Sequence, residues 1–388
     1  MPATAPPIAA PASPLLERSL PSLLAWIVLL FMVSRILLLL IGQLTMHTLA
    51  PPEFLAQMGS DLAGLFCRFD CGWYVNLVQH GYSAVEAEPG QTNLAFYPLY
   101  PLAVRALMAV TGLGPIGAGL WVSNLCFLGA LVYLYRYARL LGASDRSALL
   151  AVALLCFVPH GLVFSAMYTE SLFLLLLIAA MYHLRGGHYL LAGVLAALLS
   201  ATRATGFLFV LFAVVWLVQV HGWAVLWRWW VRPQVYVPIL LAPLGLFVHF
   251  FYLQAHFGDA FAMTSTVAHG WGWRSDWPWS NLATHLRYDP TTLFWASGSL
   301  VVAGLCLPLL RRRLWAEFAL CLGVLLLLWS GQVANSLLRY SIVLFPAWIM
   351  LAQWLEQRPL RQAVVFGGMG IFGGWIMVAW TLQRLIAI

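Results

Sequence analysis

Apolar residues in this chain come in long blocks, with the polar residues gathered between blocks rather than alternating within them. A bilayer crossing needs about 20 mainly apolar residues in one helix. Such runs are Leu23–Leu44, Gly119–Tyr137 and Ala148–Phe164, then the shorter Ser171–Leu184 and Tyr189–Thr202, then Gly206–Val220. Later ones are Tyr236–Ala255, Thr292–Leu310, Trp315–Ser330, Tyr340–Leu355 and Ala363–Leu382. The pattern predicts an all-α polytopic membrane protein with about 11 transmembrane helices. Leu94–Val110 is interrupted by Pro98 and Pro101 and reads as a re-entrant or interface-lying piece. Residues 1–20, opening MPATAPPIAAPASP, read as a disordered cytoplasmic tail. Residues 21–388 then form a single membrane domain with no internal repeat.

Composition sharpens this picture. Hydrophobic residues make up 62% of the chain and charged ones 9%, whereas soluble domains carry about 25% charged residues. With a mean hydropathy of +0.86, these values exclude a soluble globular enzyme, a disordered protein and a nucleic-acid binder. All 20 basic residues are Arg, so Schiff-base and P-loop lysine chemistry is impossible. Arg18, Arg136, Arg139, Arg146, Arg185, Arg228, Arg232, Arg311, Arg312, Arg313, Arg358 and Arg361 fall on alternate loops, which the positive-inside rule makes cytoplasmic. The opposite loops, about 45–118 and 256–291, hold most of the acids and are rich in Trp, Tyr, Gly and His. Long loops of this kind tend to be functional, so the chemistry is expected on the outer face. The expected location is the bacterial inner membrane with the active site facing outside. Cys67 and Cys71 read as free thiols, because four-residue spacing on a helix suits neither a disulfide nor, without a second pair, zinc.

Five clusters carry candidate chemistry. Arg68-Phe69-Asp70-Cys71-Gly72-Trp73-Tyr74, with His80 and Tyr82 downstream, sets a carboxylate beside a sugar-stacking surface. An interfacial loop with an Arg68–Asp70 pair fits the spacing equally well. Asn93–Pro101 contributes Tyr97 and Tyr100 at a Pro-fixed turn, which by itself reads as an interface helix. Tyr168-Thr169-Glu170 puts an acid at membrane depth, costly and by default functional. Arg203 either pairs with Glu170 or clamps a phosphate through its forked donors. Trp271, Trp273 and Arg274 make the fourth cluster, and Arg339-Tyr340 the fifth. Gly368, Gly370 and Gly373 spell a dinucleotide fingerprint inside an apolar span, where Gly370 and Gly374 suit close helix packing instead.

Taken in order, several of these motifs resemble one family. They are Asp70-x-x-Trp73-Tyr74 with Gly81-Tyr82, Phe96–Pro101, Tyr168–Ser171 and Ala201-Thr202-Arg203 with Gly206, then Phe257-Gly258-Asp259 with Trp271-Gly272, and Arg339-Tyr340 before Phe345-Pro346. Together they look like the PIG-V mannosyltransferases, the second mannosyltransferase of GPI-anchor assembly and its bacterial relatives. The resemblance implies a GT-C glycosyltransferase fold and a catalytic acid in the first outer loop, where Asp70 stands. It also implies a polyprenyl-phosphate-mannose donor and transfer with inversion. Phe69 stands where the family pattern usually has Trp. The expected roles are Asp70 as general base, Arg203, Arg339 and then Arg274 on the lipid phosphate, and Trp73, Tyr74, Tyr97, Trp271 and Trp273 around the sugar. Arg68, His80, Tyr82, Tyr100, Tyr168 and Tyr340 complete the expected donor and acceptor surface. Glu170 is expected as the partner of Arg203 rather than as a second acceptor ligand. No cofactor and no metal are expected, the acceptor is a glycan, lipid or protein, and the alternative is a transporter or flippase of a lipid-linked sugar.

Overall fold

The computed structural model describes residues 20–51, 53, 62–334 and 336–387. Residues 1–19, on which the tail reading falls, lie outside them. Among the described residues the regular elements are helices, and only two isolated bridge pairs, Glu88 with Gln91 and Ser275 with Gly331, stand apart. The helices that matter here are α1 (Leu20–Thr48), α2 (Cys71–His80), α3 (Leu99–Thr111), α4 (Pro115–Leu140), α5 (Asp145–Cys156), α6 (Glu170–Arg185) and α7 (Tyr189–Ser200). They continue with α8 (Phe209–His221), α9 (Leu244–Phe257), α10 (Ala262–Gly270), α11 (Pro278–Tyr288), α12 (Pro290–Arg311), α13 (Trp315–Trp329), α14 (Leu337–Ser341), α15 (Phe345–Leu355) and α16 (Pro359–Thr381).

Among the described residues, five helical segments are long and apolar enough to cross a bilayer: Pro21–Thr48, Pro115–Leu140, Ala204–His221, Pro290–Arg311 and Pro359–Thr381. A sixth crossing arises if Pro233–Leu241 and Leu244–Phe257, bent by 42° at the break, count as one. The count of eleven therefore does not carry over to full-length crossings. Helices α3, α7, α13 and α15 are apolar but have 13, 12, 15 and 11 residues. At 1.5 Å per residue, 15 residues reach only about 22 Å, against a hydrocarbon core of about 30 Å.

The breaks have local causes. The run expected at Ala148–Phe164 stops being α-helical at Cys156 because Pro159 follows, and a residue before proline is pushed out of the α region. The exposed carbonyls there are met by Arg35, which reaches across from α1. It donates to Cys156 O at 3.0 Å, Gly161 O at 2.8 Å and Ser165 Oγ at 3.1 Å. Close packing falls on other glycines than Gly370 and Gly374. A Cβ on Gly370 would meet nothing within 4 Å, and one on Gly374 only Ile41 at 3.9 Å. By contrast a Cβ on Gly245 would lie 2.1 Å from Ala197 O, so α9 and α7 touch backbone to backbone.

Helix α6 is buried nearly all round, as expected of a helix apolar on every face. It starts at Glu170 and ends at Arg185, 16 residues or about 24 Å away. At the Arg185 end the guanidinium Nε meets Glu317 Oε1 at 2.9 Å and Tyr137 Oη at 3.0 Å. Arg139 pairs with Asp145 nearby at 2.9 Å. Arg139 and Arg185 thus lie toward one end of α6, and Glu170 stands at the other.

Candidate active site

Helix α2 begins directly after Asp70, which occupies its N-cap position. The preceding turn is tight. Phe69 adopts a left-handed conformation (φ +51°), and its ring packs on Trp380 with centroids 5.3 Å apart. Cys67 and Cys71 are joined by a disulfide with Cα atoms 5.1 Å apart, which corrects the free-thiol reading. The spacing argument failed because Cys67 is not on the helix: the chain turns between the two residues and brings them face to face. Tyr168 fastens the same turn, donating its hydroxyl to Arg68 O at 3.1 Å and accepting from Asp70 N–H at 3.2 Å.

The Asp70 side chain makes no hydrogen bond to its own helix. Its Oδ2 instead accepts from Arg339 Nη2 at 3.0 Å. Arg339 Nε lies 3.0 Å from Glu170 Oε1, an ion contact with poor hydrogen-bond geometry. Glu170 Oε1 also accepts from Arg203 Nη2 at 2.8 Å. Four charged groups thus alternate in one chain: Asp70, Arg339, Glu170, Arg203. The middle is sealed, with the side chains of Arg339 and Glu170 4% and 1% exposed, while those of Asp70 and Arg203 at the ends are 29% and 13% exposed. Tyr340 lies between the two guanidiniums, its ring centroid 4.1 Å from Arg203 Cζ and 4.9 Å from Arg339 Cζ. Tyr168 gives Arg339 a second aromatic face at 4.8 Å.

Aromatic residues wall this charged chain. Trp73 stacks on Phe96 at 5.9 Å and meets Trp271 edge-on at 5.5 Å. Tyr74 packs edge-on against Phe96 and Tyr100. Burial, then the negative charge of Glu170, pushes the Tyr74 hydroxyl well above its usual range. Burial raises Tyr82 and Tyr97 in the same way. A cavity of about 430 Å³ opens beside the first turn of α2, lined by Phe69, Gly72, Trp73, Asn76, Glu86 and Asn93.

The other expected residues divide by position. Tyr100 is fully buried and bonds Gly119 O and Ser123, so it locks α3 to α4. Tyr82 bonds Phe96 O, and Tyr97 packs on His249 at 5.3 Å. Trp273 lies against Gly331, where an added Cβ would come within 2.3 Å of its indole nitrogen. His80 and Arg274 are exposed and join none of the ion pairs. Among the described residues no three His, Cys, Asp or Glu side chains gather as a metal site. The residues that sequence reasoning missed are Trp380, on which Phe69 and Tyr168 both rest, and the Cys67–Cys71 pair. Trp380 lies more than 300 residues from Phe69 and carries no local signal.

The chain is thus a helical membrane scaffold that presents the Asp70 carboxylate at the head of α2. The fold is similar to that of ArnT from Cupriavidus metallidurans, solved with undecaprenyl phosphate bound, with a TM-score of 0.54 over 92% of this chain and 63% of that one at 16% identity. More particularly, the chain belongs to the mannosyltransferase (PIG-V) family, whose model matches residues 16–300. It is 31% identical over 170 residues to GPI alpha-1,6-mannosyltransferase 2 of Mus musculus, covering 41% of this chain and 33% of the mouse protein. The Cricetulus griseus protein of the same name is 30% identical over 162 residues, 39% of this chain and 31% of that one. These alignments span about a third of the relatives' length.

Proposed function

We propose that this protein is an inverting mannosyltransferase that moves mannose from a polyprenyl-phosphate-linked donor to an acceptor at the extracytoplasmic face. The observation that carries the reading is the alternating chain Asp70–Arg339–Glu170–Arg203 at the end of α6 remote from Arg185. Asp70 Oδ1 makes no hydrogen bond among the described residues and is left to take the proton of an acceptor hydroxyl. The acceptor oxygen bonds the anomeric carbon as the bond from that carbon to the phosphate oxygen breaks. The donor phosphodiester carries one negative charge and the released lipid monophosphate up to two. Arg203 and Arg339 act where that charge develops, and so favour the transition state over the ground state. No strong general acid is required of the protein.

The enzyme is further proposed to work without a metal ion, because the two guanidiniums already hold the two carboxylates. The flippase alternative called for ionisable groups facing a mid-bilayer cavity. Arg35, which lies inside the first apolar run, spends its donors on Cys156, Gly161 and Ser165 instead. The test uses purified protein with polyprenyl-phosphate-mannose and a lipid and glycan extract of the host. Mass spectrometry follows free polyprenyl phosphate and any species heavier by one hexose. Asp70→Asn should lower turnover by about 10²- to 10⁴-fold, the worth of a general base. Full turnover in that variant removes Asp70 from the mechanism, and donor movement across vesicles without turnover removes the transferase.

A further inference from the structure

We infer that the Cys67–Cys71 disulfide positions Asp70 for the transfer reaction, so that the protein is competent only once this loop is oxidised. The inference rests on the transferase reading above. An aspartate at a helix N-cap ordinarily has extended backbone and caps its own helix, accepting from the N–H two or three residues on. Asp70 does neither. Its backbone is helical (φ −59°, ψ −14°), it makes no capping bond, and its carboxylate points to Arg339. A competing arrangement is therefore built into the sequence, in which Asp70 turns back to cap α2 and leaves Arg339.

The five-residue loop Cys67–Cys71 holds the competitor off. Its ends are cross-linked, and Phe69 inside it keeps a left-handed backbone that is unfavourable for a bulky side chain. Tyr168 pins both flanking peptide groups. Opening the cross-link lets Phe69 relax to an ordinary conformation, and that rotation is transmitted directly to Asp70, the next residue. Cys71 is fully buried while Cys67 is half-buried, so Cys67 is the more exposed of the two residues. A structural disulfide belongs in an oxidising compartment, which is the side of the membrane where the arginine distribution also puts this loop.

The experiment alkylates intact cells, purifies the protein in detergent and counts modified cysteines by mass spectrometry. It then measures kcat and the donor KM, using polyprenyl-phosphate-mannose, before and after reduction with a phosphine. The expected result is no alkylation at Cys67 or Cys71 until reduction. Reduction then lowers kcat about ten- to hundredfold, the cost of misplacing a catalytic group by about 1 Å, at unchanged donor KM. Re-oxidation with oxidised glutathione restores kcat. The double variant Cys67→Ser with Cys71→Ser has the same low kcat and does not respond to reductant. The inference is overturned if both cysteines are alkylated in cells, if the reduced enzyme keeps its kcat, or if KM and thermal stability collapse together. Absence of turnover in the oxidised wild type overturns the transferase reading itself, a result distinct from unchanged kcat on reduction.

Discussion

Substituting Glu170→Gln tests whether the buried ion chain is held together at its centre. Glu170 Oε1 stands 2.8 Å from Arg203 Nη2 and 3.0 Å from Arg339 Nε, and the side chain is 1% exposed. Glutamine keeps the shape and the hydrogen bond from Arg203 but removes the charge, leaving two guanidiniums against Asp70 alone. An opposite-charge pair near contact is worth about 4 kcal/mol at an effective dielectric of 20. Part of the loss is offset because a neutral amide costs less to bury than a carboxylate. The net cost falls at the low end of that for breaking a buried pair, about 3 kcal/mol. At about 1–2 °C per kcal/mol for a chain of this length, this lowers the melting temperature by on the order of 3–6 °C. The uncompensated arginines should then attract an anion. A phosphate at 100 times its dissociation constant restores about 2.7 kcal/mol, nearly the whole loss. The assay is thermal unfolding in detergent, with and without inorganic phosphate or polyprenyl phosphate. An unchanged melting temperature, or a loss that neither phosphate reverses, refutes the reasoning.

The remaining predictions concern single contacts. Arg339→Lys should lower kcat/KM by about 10²-fold, because a point-charge ammonium cannot span Asp70 and Glu170 as a planar fork does. Arg274→Ala should leave the kinetics within about twofold, as befits an exposed side chain outside the ion chain; a loss matching that of Arg339→Lys would bring Arg274 into the phosphate site. Gly245→Val should destabilise by about 3 kcal/mol or more, since its Cβ would lie 2.1 Å from a backbone carbonyl. Gly370→Val should be nearly neutral, and comparing the two melting curves checks where the helices touch. Turnover should persist in EDTA, and activity lost to EDTA and restored by Mg²⁺ or Mn²⁺ would add a metal to the site.

Some of this was legible in the sequence because it is a one-dimensional property. Block length marks α1, α4, α12 and α16, and arginine placement marks one end of the bundle. Glu170 and Arg203 sit at breaks beside short apolar runs, so their pairing was open to a reader of the chain alone. The partner of Asp70 was not. Local sequence offered Arg68, two residues away, whereas the ion pair is made by Arg339, 269 residues on. No pattern in the chain encodes that crossing, which depends on α14 being held against α12 and α13. The cysteine pair was misread for the opposite reason. Helical spacing was applied across a helix start, and the start lies between the two residues.

The order of charges along the chain suits a reaction in which charge moves from a base to a leaving group. Before transfer, two acids and two arginines cancel. In the proposed transfer, Asp70 loses its negative charge as it takes the acceptor proton, and its hold on Arg339 weakens. In the same step the departing phosphate gains charge, and Arg339 and Arg203 are the cations in place to meet it. Glu170 keeps Arg339 from being left bare while the change happens, since it touches both arginines and is shielded from water. A single Asp–Arg pair would have to break before the cation could serve the leaving group. A four-membered chain only shifts its balance by one position, so little reorganisation is required at the moment of reaction. That is why the buried Glu170, which touches neither sugar nor acceptor in this scheme, is predicted to matter for rate as well as for stability.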